Sequence, residues 1–435
     1  MTRIATLLSG HGLAALAGLA RNLLIARLLG PEGYGLAAAL IILTAAAEMA
    51  TTLGLPQLIV SRPNGASAKT QAALHAVQVT RGVVGAALVL LCAGPLATAL
   101  DAPDAAPILR SAAIVPFILG FTHLDAFRAQ RQGRHLPQTL VLAVPAIVSV
   151  AVFWPFAAWL TGPQIMLFLL LVQACATVAT SHLVARRRYR LRIDAGLIAV
   201  ALRYGLPLTA NGVLMFAVLH AEKLIAGASL GLAQMGVLAM GLTLTMTPAL
   251  ILARSFQAYH LPRMRTCSIP VMGLGFLLGA SLAATLAALV PLGLPVLGAR
   301  FSGLAELVPM LSCIAAMRLP KSSLAVTALS QGRTHLPALA NLPRVLALPV
   351  IWFALAQGGG VETLLALALG AEVAGLLLGG ALARTGAFPT RDIALSGLAF
   401  GTVLSGQPGL GVIVCLIAWA AYGMALFPQS AGRIA

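Results

Sequence analysis

With 435 residues, 60% of them hydrophobic and only 9% charged, against roughly 25% charged in a soluble globular chain, this sequence does not encode a water-soluble core. Its apolar runs are continuous, not alternating, which excludes a transmembrane β-barrel. The formal net charge of +17, from 28 Lys+Arg against 11 Asp+Glu, would suggest nucleic acid in a soluble protein, but no aromatic residues interleave with the arginines, so nucleic acid is not an expected partner.

Taken in order, about fourteen segments of roughly 20 residues reach the length that crosses a hydrocarbon core about 30 Å thick. They cover approximately 4–29, 36–60, 74–100, 106–127, 137–160, 163–185, 201–229, 236–258, 269–292, 304–328, 337–356, 361–383, 392–405 and 409–427. The thirteenth is short, either a thin span or a re-entrant segment. Connections between spans are brief, so no soluble catalytic domain fits. The Met1-Thr2-Arg3 start runs into apolar sequence without a small-residue cleavage site, which reads as a retained first span. The expected fold class is therefore all-α and polytopic.

Loop charge sets the orientation. With a cytoplasmic N-terminus, eighteen Lys and Arg fall in inner loops and tails, among them Arg128, Arg131, Arg134, Arg263, Arg265, Arg384, Arg433 and the run Arg186-Arg187-Arg188-Tyr189-Arg190-Leu191-Arg192, whereas the outer loops hold Arg300. That asymmetry is the positive-inside rule, and it places both termini in the cytoplasm. Cys92, Cys175, Cys267, Cys313 and Cys415 stand singly, without metal-ligand or redox spacing. No phosphate-binding GxxxxGK[ST] loop, GxSxG or HExxH occurs, so no cofactor, metal or catalytic set is expected, and the chain does not read as an enzyme.

An internal repeat organises the spans. Leu29-Gly30 with Gly35 recurs as Leu230-Gly231 with Gly236; Gln132-Gly133-Arg134-His135-Leu136-Pro137 recurs as Gln331-Gly332-Arg333-Thr334-His335-Leu336-Pro337; Pro145 with Trp154 recurs as Pro343 with Trp352. Three matches in one order at an offset near 200 imply two parallel six-helix repeats related by an axis along the membrane normal. The expected division is 1–190 for spans one to six, 191–388 for spans seven to twelve, and 389–435 for two additional C-terminal helices.

The run Arg27-Leu28-Leu29-Gly30-Pro31-Glu32-Gly33-Tyr34-Gly35, then Leu53-Gly54-Leu55-Pro56-Gln57, and Arg203-Tyr204-Gly205-Leu206-Pro207 opening the second half, resemble the lipid-linked oligosaccharide flippases of the multidrug/oligosaccharidyl-lipid/polysaccharide (MOP) exporter superfamily. The detailed resemblance covers about the first 60 residues and 201–245. It implies two six-helix lobes around a cavity and outward movement of undecaprenyl-diphosphate-linked sugars across the bacterial inner membrane. It also implies membrane lipids, polysaccharide polymerase and glycosyltransferases as partners.

Charges inside the spans carry the chemistry, because an ion at mid-bilayer costs roughly 2.5–3.5 kcal/mol on insertion scales. Arg27, Arg110 and Arg203 lie near span ends and can snorkel. Arg318 and Lys321 flank Pro320 in mid-span, where proline opens the backbone, and are the first candidates for substrate binding. Arg344, Arg21, Lys223 and Arg81 follow, with a structural ion pair as the alternative role for the first three. The acids in the spans, Glu48, Asp125, Glu222 and Glu372, are fewer, so the cavity should be net positive and select an anionic headgroup such as a diphosphate. Arg21 and Glu222, related by the 201 offset, are expected to gate as an ion pair or to pack within their own lobes. Glu48, beside Thr44, Thr51 and Thr52 on one helix face, and His123 with Asp125 on span four could couple a proton or cation, or serve as helix contacts. A cation-coupled multidrug exporter of the same superfamily would want an acidic cavity. A membrane polysaccharide polymerase or ligase would want a sizeable outer loop.

Overall fold

The computed structural model describes residues 2–160, 162–261, 264, 271–333, 335–383 and 390–431. Arg263, Arg265, Cys267, Thr334, Arg384 and Arg433, used above, lie outside them. Every regular element among the described residues is a helix, as a bilayer requires of a chain that must satisfy each backbone N–H and C=O internally. Among them nine helices are long and apolar enough to cross a membrane. Met1–Gly236 and Val237–Ala435 form two compact units.

The first unit contains α1 (Thr2–Ala50), α2 (Leu55–Ser61), α3 (Ala68–Ala99), α4 (Ala106–Ser111), α5 (Ile114–Leu119), α6 (Asp125–Arg131), α7 (Leu136–Ala151), α8 (Phe153–Ala157), α9 (Gln164–Leu183), α10 (Ala195–Phe216) and α11 (Glu222–Leu230). At about 1.5 Å per residue, α1 is more than twice as long as a bilayer core is thick. It is in fact two helices, broken at Gly30 (φ 73°, ψ −178°) just before Pro31, so it supplies the first two expected spans. It packs against α3, α7 and α10, and α7 packs against α9. A π-helical turn, Ala217–Ala221, joins α10 to α11. Gly231 (φ 88°, ψ 168°) then breaks the chain before α12 (Leu232–His260), in the same extended-positive conformation as Gly30. The boundary between the units falls inside α12.

In the second unit follow α13 (Val271–Gly293), α14 (Leu304–Ala316), α15 (Arg318–Ser330), α16 (Leu336–Leu339), α17 (Leu342–Ala356), α18 (Val361–Ala383), α19 (Thr390–Leu404) and α20 (Pro408–Ala431). The hub is α13, which packs against α14, α15, α19 and α20. Gly275 and Gly279 on one face of α13 let α15 approach closely: a Cβ at Gly275 would lie 2.5 Å from Ser323 Oγ, and one at Gly279 would lie 3.1 Å from Pro320 Cδ. This is the small-xxx-small contact of membrane helix pairs.

Two repeated motifs share one backbone geometry. Gly133 and Gly332 have φ 74° and 76°, and each ends its helix with the same pair of bonds, Arg134 N to Ala129 O and Arg333 N to Ala328 O, both 2.9 Å. This is the left-handed helix terminus that glycine alone adopts without cost.

The fourteen even spans expected from the sequence are corrected in detail. Segment 106–127 is not one helix: it divides into α4 and α5, followed by a non-helical stretch before α6. Segment 304–328 is broken between α14 and α15. The cause is the same in both. Pro116 and Pro320 have no N–H to offer the carbonyls four residues earlier, Ala112 and Ala316, and the helices part there. His123 and Asp125 are consequently not neighbours on a membrane helix; His123 sits in the break and Asp125 opens α6. The thirteenth segment is α19, 15 residues, or about 22 Å at helical rise.

Candidate functional site

The deep cations of the second unit converge on one acid. Arg318 and Lys321 lie in the first turn of α15 and Arg344 in the first turn of α17, where the helix dipole adds further positive potential. Glu372, on α18, receives all three. Arg318 Nη2 lies 3.4 Å from its Oε1, Arg344 Nη1 bonds the same oxygen, and Lys321 Nζ bonds Oε2. The four residues are between 0% and 8% exposed. Three cations around one carboxylate leave a formal charge of +2, so these are not neutral pairs.

Local sequence explains the convergence. Gly375 follows Glu372 on the same face of α18, and a Cβ there would lie 2.9 Å from Lys321 Nζ and 2.2 Å from Ala340 O. The missing side chain lets the chain at Ala340, a backbone contact that cannot rotate aside, press against α18 beside the Lys321 ammonium. The serines after Lys321, Ser322 and Ser323, are buried too, and Gln257 Nε2 donates to Ser322 Oγ at 3.3 Å. The composition of the cluster suits an anion: buried positive charge with the Ser322 hydroxyl beside it.

The remaining predicted site residues belong to the first unit and occupy separate surroundings. Arg21 is buried on α1 and donates to Ser149 Oγ on α7 (3.4 Å) and to Gln173 Oε1 on α9. Arg81 on α3 donates to Thr51 Oγ1 (3.3 Å), Gln78 Oε1 (3.4 Å) and the backbone oxygen of Glu48 (3.3 Å), bracing the end of α1. Lys223 Nζ lies 3.4 Å from His220 Nδ1 across the π-helical turn, and Glu222 is buried at the start of α11.

Sequence reading counted Glu372 only as one of four acids and passed over Gln173. The repeat contains the signal for both: at an offset of 199, within the range of the other matches, Glu372 on α18 corresponds to Gln173 on α9. Each is the acceptor for a buried guanidinium within its own unit.

His123 and Asp125 form a different site, a polar junction outside the nine candidate spans. The break before α6 exposes backbone donors, and side chains take them. His123 N donates to Ser181 Oγ (2.9 Å), Leu124 N to His75 Nε2 (3.1 Å) and Asp125 N to His123 Nδ1 (3.1 Å). Because His75 and His123 each accept at one ring nitrogen, each donates from the other, to Arg190 O (3.1 Å) and Arg187 O (3.0 Å). Asp125 takes Arg128 in a fork, 2.5 and 2.9 Å, with Arg186 N (2.9 Å) and Gln71 Nε2 (3.2 Å). Burial alone would raise its carboxyl, but the Arg128, Arg186 and Gln71 hydrogen bonds outweigh burial and hold it well below the usual carboxylate range.

A carboxyl lowered in the folded state contributes stability that is complete above the unfolded value of about 3.9 and fades as pH falls through the folded one. Asp125→Asn is therefore expected to cost about 2–3 kcal/mol at pH 7, in keeping with charge-assisted hydrogen bonds. The gap from the parent should close below about pH 4, as read from melting of the detergent-purified protein across pH. A gap unchanged down to pH 3 would contradict the assignment.

Solved structures place this arrangement in a class. Similar folds include an inward-facing multidrug resistance MATE family transporter of the MOP superfamily, at 15% identity and TM-score 0.59, covering 90% of this chain and 95% of that one. The lipid II flippase MurJ in an inward closed conformation matches at 12% identity and TM-score 0.70, covering 95% and 98%. A MOP superfamily transporter from Pyrococcus furiosus, described by the reverse polarity of its binding pocket, matches at 11% and TM-score 0.56, covering 92% and 96%. The chain thus has the fold of these proteins, and its long apolar helices make it a multi-pass membrane protein. By sequence, the chain belongs to the polysaccharide biosynthesis protein family, whose model matches residues 24–269. No curated protein sequence matches it.

Proposed function

We propose that this protein is a flippase that carries an undecaprenyl-diphosphate-linked oligosaccharide from the inner to the outer leaflet of the bacterial inner membrane, with both termini cytoplasmic, for surface polysaccharide biosynthesis. The observation that supports the cargo is the buried charge of +2 formed by Arg318, Lys321 and Arg344 around Glu372. Guanidinium forks match phosphate oxygens, and a cationic drug would be repelled. The two halves, 1–190 and 191–388, would alternate access while the lipid tail stays in the bilayer. Arg21 and Lys223 would add to the anion path and Arg81 to its edge; Glu222 and Glu48 are assigned to gating or coupling, and His123 and Asp125 to gating through the junction before α6, since a carboxyl held charged by Arg128 carries no coupling proton. With the inside negative, moving a doubly negative diphosphate outward gains about 4.6 kcal/mol at 100 mV, from roughly 2.3 kcal/mol per charge.

Deleting the gene should make lipid-linked oligosaccharide accumulate on the inner leaflet, and the intact gene should reverse this, whereas the Arg318→Gln/Lys321→Gln variant should not. Surface polysaccharide production undiminished by the deletion would reject the reading. A polymerase or glycosyltransferase partner would be sought among neighbouring genes.

A further inference from the structure

The arginine run between α9 and α10 is not a loose tether. Its backbone is fixed at four residues: Arg186 N donates to Asp125 Oδ2, Arg187 O accepts from His123, Arg190 O accepts from His75, and Arg192 N donates to Ala72 O at 3.1 Å. Between these points the Tyr189 ring stacks on His75 with centroids 4.4 Å apart. Orientation by the positive-inside rule needs only charge, which a disordered loop supplies equally well. Fixing the backbone adds something else: it aims the side chains.

They are aimed at a cavity of about 260 Å³ lined by Arg187, Arg188, Arg190, Gln71 and His75. Arg187 is held in place by Ala66 O (2.6 Å) and Gln71 Oε1 (3.4 Å), while Arg188 and Arg190 are exposed. The nearby acids are already engaged: Asp125 with Arg128, and Asp194 with Lys69 at 3.2 Å and Arg192 at 3.9 Å. Three arginines therefore line a small concave space whose lining includes no carboxylate. The volume is below that of a drug-sized pocket, roughly 300–1,000 Å³, and suits one phosphate group with its immediate substituents.

We propose that this cavity is a phosphate-binding site at the membrane face of the first unit, taking a phosphomonoester or phosphodiester, whether on a lipid headgroup or on a soluble phosphate. The pinned backbone fixes where the three arginines start, and the bonds to Ala66 O and Gln71 Oε1 hold the Arg187 guanidinium, so part of the ordering cost of binding is already met. The site is separate from the Glu372 cluster and stands whether or not the proposed cargo is correct.

Calorimetric titration of the full chain in a neutral detergent tests it, with dioctanoyl phosphatidylglycerol and the phosphate-free dioctanoylglycerol as ligands and inorganic pyrophosphate as competitor. The phosphatidylglycerol is expected to bind at least about tenfold tighter than the dioctanoylglycerol. Arg188→Gln/Arg190→Gln should weaken it about 25-fold, from roughly fivefold per basic residue near an anionic surface. Arg188→Gln alone, an exposed change, should weaken it about fivefold and serves if the double variant does not fold. Displacement of the lipid by pyrophosphate identifies free phosphate as a sufficient ligand; failure to displace identifies the lipid headgroup as the source. Equal affinity for the two lipids, or unchanged affinity in the folded arginine variants, overturns the site.

Discussion

Glu372→Gln is expected to destabilise the protein by about 3–5 kcal/mol, the usual cost of breaking a buried ion pair from one side. The amide has almost the shape of the acid, so packing stays intact while Arg318, Lys321 and Arg344 lose the carboxylate they share. Removing one cation with the acid should recover part of that loss. Glu372→Gln/Arg344→Met leaves two buried cations without their acid instead of three, so it should be less unstable than Glu372→Gln while staying below the parent. The measurement is the temperature at which the detergent-purified protein loses its monodisperse peak after heating, for the parent, both singles and the double. If Glu372→Gln melts with the parent, the acid does not hold the cluster. If the double is as unstable as Glu372→Gln, the cost is one of packing and not of charge. Arg318→Gln, which leaves two cations on the acid, should fold and yet lose flipping, separating a structural from a cargo-binding contribution.

A comparably large effect is expected where the repeat meets itself within the first unit. Gly35 and Gly236 are equivalent positions, and so are Pro31 and Leu232. A Cβ on Gly236 would lie 1.9 Å from Pro31 O and one on Gly35 would lie 2.1 Å from Leu232 O, a reciprocal contact. Both obstacles are backbone atoms, which cannot rotate aside as a side chain can. Gly236→Ala and Gly35→Ala should therefore each cost about 3 kcal/mol, the upper end for overpacking. Gly18→Ala is the control: nothing lies within 4 Å of a Cβ there, and alanine is worth roughly 1 kcal/mol over glycine within a helix. Equal melting of Gly236→Ala and Gly18→Ala would mean that the close approach is not required.

Much of this architecture is legible in the chain itself. The apolar runs give the membrane fold, because no water is available there to satisfy an open backbone. The repeated glycines announce their geometry, since positive φ at Gly30, Gly231, Gly133 and Gly332 is a conformation other residues avoid. The prolines at 116 and 320 were equally visible, yet an apolar run was read across each as one span. Hydrophobicity measures length in the bilayer and is blind to a missing N–H. For His123 and Asp125 the spacing predicts a shared helix, but α5 ends at Leu119 and a non-helical stretch separates it from α6.

Composition and order thus determined that this is a multi-pass helical protein, duplicated, and richer in deep cations than in acids. Only the tertiary structure decided which cations share an acid. Residues 318, 321, 344 and 372 sit on three helices, and the close packing around them depends on α18 offering Gly375 where a side chain would meet the backbone at Ala340. Charge is a property of each residue and can be counted along a sequence. Whether charges cancel depends on distances of a few ångströms, which packing sets.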